Sequence, residues 1–250
     1  MIALDRFSSY KHSVHDFKMI NQKPYLIRSI HKEDLKAVVR RIAYTRMESH
    51  PEIAILRNIS LEKVEGFLYD RFAAIVSQDL SMCVVDPETD RIVAAIFGED
   101  AAVPPQAQYN EKKWPEFKEF IESDSLIRKT FPKIFAPKIY GVSINLVCLW
   151  SDPECKDKDV MSSLALALLQ HPRILTYTQI ACIFVIPDME ALAKVIPNAF
   201  ILKKINFADL KDGYGNYYYR PIMHKFEEKG FSPESLRFLV FVIKNLTPLL

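Results

Sequence analysis

The sequence predicts one mixed α/β (α+β) domain, a central sheet with helices on both faces. Three observations predict it. Segments of helical period and of strand period interleave along most of the chain. Turn chemistry joins some strands directly, as in antiparallel pairs, while whole helices join others, as in parallel crossovers. Apolar residues make up 49% and charged residues 26% of the 250 positions, enough to bury a core and too apolar for general disorder.

Residues 1–23 read as an N-terminal extension and 24–250 as the domain, with an insertion at 101–137. Pro24 to Ile30 alternates apolar and polar, which predicts a half-buried strand. A helix follows from Lys32 to Arg46, with Leu35, Val38, Val39, Ile42 and Ala43 at helical spacing and Glu33 and Asp34 at its positive end. Ser60 is a good N-cap for a second helix reaching Gln78, whose stripe is Val64, Phe67, Leu68, Phe72 and Ile75. Ser81 to Val85, the turn Asp86 to Asp90, and Arg91 to Phe97 predict a hairpin. In the insertion, Lys113 to Arg128 is expected to be helical, with Trp114, Phe117, Phe120 and Ile121 on one face and its charges on a solvated face. Tyr140 to Trp150 reads as a central strand, Val160 to Gln170 as a buried helix, Ile180 to Ile186 as a buried strand and Met189 to Ile196 as a short helix. Ala199 to Phe207 and Ser235 to Val242 are the last strands, separated by a polar loop containing Gly213 and Gly215.

Composition excludes several classes of function. A net charge of +2 gives no electrostatic footprint for nucleic acid or a membrane surface. Cys83, Cys148, Cys155 and Cys182 form no CxxC pair, and five of the six histidines (His12, His15, His31, His171 and His224) show no ligand spacing together, so no metal is expected. The scattered cysteines suit a reducing, intracellular compartment, with the cytoplasm the simplest case. Met1 to Met19 lacks the apolar core of a secretory signal; Arg6, Lys11 and Lys18 leave organellar targeting open, and Asp5 and Asp16 count against it. No apolar run reaches the roughly 18 residues of a membrane span.

Local sequence narrows the fold. Tyr25-Leu26-Ile27-Arg28 followed by Glu33-Asp34, the hairpin Asp86 to Val93, and Ile205 to Gly213 followed by Leu236 to Val240 occur in one order. In that order the chain resembles the GNAT N-acetyltransferases over about residues 24 to 245, and is most similar in pattern to the arylalkylamine N-acetyltransferases. The resemblance implies a mixed, mostly antiparallel sheet and acetyl-coenzyme A as cofactor. It implies that the acetyl-pantetheine arm slots between two splayed central strands, aligned by the backbone of Leu146, Val147, Cys148 and Leu149. It also places the pyrophosphate at the N-terminus of the next helix, where free amides and the helix dipole favour an anion.

The matching loop is Lys156-Asp157-Lys158-Asp159-Val160-Met161. Lys156 keeps a positive charge, but Asp159 and Met161 stand where the family has glycine and a second small residue, and Asp157 where glycine is common. Glycine permits close backbone approach; aspartate does so less well and repels a dianion. Three readings stay open: a plain helix N-terminus with Asp159 as N-cap, a weaker or shifted coenzyme A site, or a polar contact with a protein partner.

The family's general base, as the resemblance implies it, precedes a proline after the first helix. Met47-Glu48-Ser49-His50-Pro51-Glu52 places His50 there, a chemically plausible substitute, with Glu48 or Glu52 as alternatives; a solvated loop without chemistry is the other reading. The tyrosine acid expected after the fifth strand of the family fold is missing from Met189 to Pro197. Cys182 lies in that strand and reads as core. Tyr214, Tyr217, Tyr218 and Tyr219 suit either an amine pocket or a protein interface. The three departures together predict a GNAT-like protein with lost or reduced catalysis and a role in protein interaction or a larger assembly. The alternative is an active acyl-CoA-dependent N-acyltransferase acting on a small amine or a protein amine, and a third reading is a coenzyme A sensor without turnover.

Overall fold

The computed structural model describes residues 16–20, 23–49, 59–103, 112–135, 137–155, 157, 159–185, 198–212, 214–232 and 236–244. In it β1 (Asp16–Ile20) and β2 (Lys23–Ser29) form an antiparallel pair that the sequence reading did not foresee, having assigned residues 1–23 to an extension. Helices α1 (Leu35–Ser49) and α2 (Leu61–Val76) follow, then the hairpin β3 (Met82–Asp86) and β4 (Arg91–Asp100). The insertion carries α3 (Lys118–Thr130) and the single turn α4 (Pro132–Phe135). The remaining elements are β5 (Ser143–Ser151), α5 (Asp159–Gln170), β6 (Gln179–Phe184), β7 (Ala199–Asn206), α6 (Met223–Glu228) and β8 (Arg237–Lys244). The helix expected at Met189 to Ile196 lies outside the described residues.

The eight strands make one sheet in the order β1-β2-β3-β4-β5-β6-β8-β7. Its neighbours run antiparallel except β5 and β6, which are parallel and joined by α5. A crossover helix is what a parallel pair requires, so the single apolar helix of this segment dictates the single parallel pair. This is the mixed, mostly antiparallel sheet that the sequence predicts.

Helices cover both faces. On one side α5 buries Val160, Leu164, Ala165 and Leu168 against Tyr25, Ile27, Val84 and Ile96. On the other, α1 and α2 bury Val39, Ile42, Phe67 and Phe72 against Leu26, Cys83, Ala95 and Phe97. Strand β2 is therefore buried on both faces rather than half-buried. Arg28 is buried because Asp34 meets it with two oxygens at 2.6 and 2.8 Å, while the backbone N–H of His31 donates to the same carboxylate at 2.8 Å. Ser60 caps α2 as expected, its hydroxyl accepting from the Lys63 N–H at 3.4 Å.

The expected polar loop before β8 instead builds a third core. Phe207, Tyr219 and Phe226 pack with Phe238 and Val240, and Ile127 and Phe135 of the insertion join them. Since Phe117 and Ile121 belong to the α1–α2 core, the insertion spans from one core to the other. Its near end is fixed where Trp114 packs over Gly66 of α2: a Cβ at Gly66 would lie 2.6 Å from the indole, so a glycine that costs helix stability admits the ring.

Candidate functional site

The site begins with a register shift. Strand β4 pairs Phe97 with Cys148 and then Gly98 with Leu146, so Val147 is an extra residue, a β-bulge. On its other edge β5 pairs with β6 only from Ser143 to Leu146, opposite Gln179 to Cys182. Strand β6 continues to Phe184 against β8 while β5 continues to Ser151 against β4. The two parallel strands thus separate just where the bulge begins, and Val147 has no partner in either register among the described residues. Opposite the bulge, the Gly98 N–H donates to the buried Ser81 hydroxyl at 3.2 Å, and a Cβ there would meet the Leu80 carbonyl oxygen at 2.6 Å, so glycine lets the segment before β3 pack close to β4.

A narrow cleft occupies the separation, with a cavity volume of about 50 Å³. That has room for a few waters and lies below the usual range for small-molecule sites. Its sheet wall is residues 146–149 of β5 and residues 183–185; its helix wall carries Arg46, Arg71, Phe120, Ser123, Asp124 and Arg128. The four strand residues named from sequence, Leu146 to Leu149, therefore lie together at the opening. The insertion lines the cleft, and its charges are not simply a solvated face: Arg128 donates to Asp124 at 2.6 Å and approaches the buried Glu99 at 3.5 Å. Glu99 also accepts from Asn145 Nδ2 at 2.6 Å. This buried polar network was missed in sequence, where each member looks like an ordinary surface residue. Tyr219 and Tyr218 hold α3 in place, donating to Ser123 and Glu122 respectively.

The loop after β5 is held by side chains. Asp152, 4% exposed, is paired with Arg41 of α1 and with Arg91 of β4 at 3.5 Å; Arg91 also reaches Glu154 at 2.9 Å. The hydrogen bond from Arg91 holds the Glu154 carboxyl below the ordinary carboxylate range. Asp157 accepts a hydrogen bond from the Tyr25 hydroxyl, and burial, then that bond, push the phenol up. The Val160 N–H donates to the Asp157 carbonyl at 3.2 Å. Helix α5 starts at Asp159, so this carboxylate stands in the first turn rather than at the N-cap. Val160 is buried and Met161 packs on the α5 core. Lys156 and Lys158 lie outside the described residues. Beside the loop is a second, larger depression of about 380 Å³, lined by Asp86, Asp152, Glu154 and Asp157 with Lys23 and Arg91.

The residues matched to a general base are less well placed. Glu48 is exposed, hydrogen-bonded to Tyr44, and does not line the cleft; Arg46 does. His50 and Glu52 lie outside the described residues. Cys182 is buried in the core, and burial drives its thiol well above the ordinary value, which disfavours a nucleophilic thiolate. None of Tyr214, Tyr217, Tyr218 and Tyr219 lines the cleft. Among the described residues no group of three or more His, Cys, Asp or Glu is placed to hold a metal ion. No helix among them is long and apolar enough to cross a membrane.

The register shift at Val147 and the strand separation beside it open an apolar gap of the kind the pantetheine arm of acetyl-coenzyme A would enter. The start of α5 does not fit the pyrophosphate: carboxylates stand where an anion would bind, and one amide is already engaged.

No family model matches the chain, and no curated protein does. Solved structures do. A putative arylalkylamine N-acetyltransferase 7 from the yellow fever mosquito Aedes aegypti superposes with a TM-score of 0.64 at 13% identity, covering 93% of each chain. The Drosophila melanogaster polyamine N-acetyltransferase, an enzyme that forms N-acetylagmatine, gives 0.62 at 14% identity over 88% of this chain and 100% of that one. The C-terminal condensation domain of Ebony, in complex with β-alanyl-dopamine, gives 0.60 at 17% identity over 92% of this chain and 100% of that one. With one parallel pair, a separation after it and a helix starting beyond it, this chain has the fold of the GNAT N-acetyltransferases.

Proposed function

We propose that this chain is a GNAT-fold protein whose N-acyltransferase chemistry is lost or reduced, and whose scaffold serves interaction with a protein partner. The reading rests on one observation: Asp157 and Asp159 stand at the N-terminal end of α5, where the fold's cofactor presents a pyrophosphate. A helix N-terminus attracts anions through its amides and dipole, and two carboxylates there oppose that attraction. The exposed aromatic and aliphatic side chains Ile139, Tyr140 and Tyr214, at 68%, 68% and 93%, are candidate contacts for the partner.

Calorimetric titration with acetyl-coenzyme A tests this. The natural chain should give no micromolar binding. A variant carrying Asp157→Gly and Asp159→Gly removes two like-charge contacts of about 1 kcal/mol each, and should bind about tenfold or more tightly. Micromolar binding by the natural chain would overturn the reading.

A second reading, an active acyl-CoA-dependent N-acyltransferase on a small or protein amine, is favoured by the Val147 bulge and the strand separation beside it. It requires turnover of an amine, lost in a His50→Ala or Glu48→Gln chain.

A further inference from the structure

The β5–β6 gap has the backbone of a cofactor slot and the volume of a water pocket. Pairing of β5 with β6 ends at Leu146, yet the cleft beyond it measures only about 50 Å³. A pantetheine arm is many times the size of a water and needs far more room. Much of the filling comes from one helix: Phe120, Ser123, Asp124 and Arg128 of α3 all line the cleft. Their spacing is i, i+3, i+4 and i+8, which puts them on one face.

That face is held differently from the rest of α3. Ile121 packs in the α1–α2 core and Ile127 in the third core, so apolar burial fixes the helix away from the cleft. Over the cleft the tie is polar. Arg128 reaches the buried Glu99 at 3.5 Å, and Glu99 accepts from Asn145 Nδ2 at 2.6 Å. Glu99 and Asn145 are register partners on β4 and β5, next to the pair Gly98 and Leu146 that borders the bulge. The insertion is thus fastened to both strands at the edge of the gap. The fastening has a weak point. Asn145 is fully buried, and its Oδ1 meets no hydrogen-bond partner among the described residues. An unsatisfied buried acceptor costs free energy that opening to water would recover; an apolar seal carries no such cost.

We propose that the side chains of this α3 face form an internal cover over the cleft, latched by Arg128 on Glu99, and that this autoinhibitory contact keeps a pantetheine arm out of the slot. The proposal deepens the reading of lost or reduced acyl transfer and rests on it for what the slot would hold. Its residues are not those of the phosphate loop.

The four cysteines of the intact chain supply the test. Cys148 lines the cleft at 1% exposure. Cys83 is buried in the α1–α2 core, Cys182 in the α5 core, and Cys155 is half-buried. Alkylation by iodoacetamide would be followed at each cysteine by peptide mass spectrometry. In the natural chain Cys148 should react more slowly than Cys155 but about tenfold faster than Cys83 and Cys182, because a cover opens at less cost than the whole domain. Glu99→Gln keeps the shape and an acceptor for Asn145 but removes the charge that holds Arg128. It should raise the Cys148 rate about tenfold and leave Cys83 and Cys182 unchanged. S-methylpantetheine, which has neither a pyrophosphate nor a free thiol, should then slow Cys148 labelling in this variant and not in the natural chain. Phe120→Ala thins the cover without touching the latch and should have the same two effects, should Glu99→Gln fail to fold; the comparison of cysteines in the natural chain needs no variant. Cys148 reacting as fast as Cys155 in the natural chain, Cys148 changing only in step with Cys83 and Cys182, or S-methylpantetheine protecting the natural chain or neither variant would overturn the proposal. The probe reads the cover and acetyl-coenzyme A titration of the double glycine variant reads the loop, so the two proposals fail separately.

Discussion

The β5–β6 gap and the loop that follows β5 lie end to end on the chain, yet different forces hold them. The gap is a backbone feature: pairing with β6 stops at Leu146, the bulge sits at Val147, and Gly98 and Ser81 support it from β4 and the segment before β3. The loop is a side-chain feature, tied by Arg41 and Arg91 to Asp152 and Glu154 and by Tyr25 to Asp157. Backbone geometry survives many substitutions, because most side chains tolerate the same register. Side-chain geometry at a helix end changes with single residues. The general cleft of the fold can therefore persist while the phosphate cradle beside it is rewritten.

The largest expected effect is on the gap. Gly98→Ala would place a Cβ 2.6 Å from the Leu80 carbonyl oxygen and 3.3 Å from Ile144 Cγ2. The nearer atom is backbone of the segment before β3, so that segment or β4 must shift, and with it the support β4 gives the bulge. A loss of about 2 kcal/mol is expected, read as a lower urea midpoint at unchanged slope. An unchanged midpoint would mean that the bulge is loosely held, and would remove the contrast with the loop.

A smaller effect is expected on the loop. Tyr25→Phe deletes the donor to Asp157 while keeping the buried ring. The loss should be about 1–2 kcal/mol, as for a hydrogen bond to a charged group. Acetyl-coenzyme A binding should not improve, since both carboxylates remain at the start of α5. If this variant gains affinity as the double glycine variant does, pinning of Asp157 is the obstacle and charge is not.

The same contrast explains what was legible in the sequence. The long periodic segments predicted the sheet, α1, α2 and α5, because burial on one face leaves a pattern that needs no knowledge of the partner. Residues 146–149 were named through the family resemblance in element order, and they line the cleft. The bulge itself has no local signature: Val147 is one apolar residue in an apolar run, and a one-residue shift shows only in the pairing with Gly98, 49 positions earlier. Strand β1 was missed because five residues, Asp16 to Ile20, are too few to show a period, and their pairing with β2 is a tertiary fact. Arg71 sits beside the α2 stripe and carries no local signal of its burial; the Phe120 ring of the insertion lies 5.8 Å from its guanidinium. Asp157 and Asp159 were visible as residues, but the bond from Tyr25, 132 positions away, was not.

The finest test of the contrast is pH. Strand pairing between β5 and its neighbours involves no titrating backbone group, whereas the loop depends on carboxylates. The Glu154 carboxyl is held low by its hydrogen bond from Arg91. For Asp86, in the same depression, burial pushes upward, but the hydrogen bonds from Lys23 and the Glu88 N–H prevail and hold it low as well. A carboxyl depressed in the folded state contributes stability above its unfolded value, about 4, and loses it as pH falls through the lower folded value. Acid should therefore loosen the loop first. The amides to follow are those of Asp152, which donates to Val93 at 2.8 Å, and Cys155, which donates to the Asp152 carbonyl at 2.9 Å. Their hydrogen-exchange protection, corrected for intrinsic rates, should fall between about pH 5 and about pH 3, while that of residues 143–146 in β5 holds. These pairs are exposed, so the change should be modest and weaker at high salt. A parallel loss of protection in both segments would mean that gap and loop open as one unit, and that the loop's ion pairs carry no separate role in shaping the end of α5.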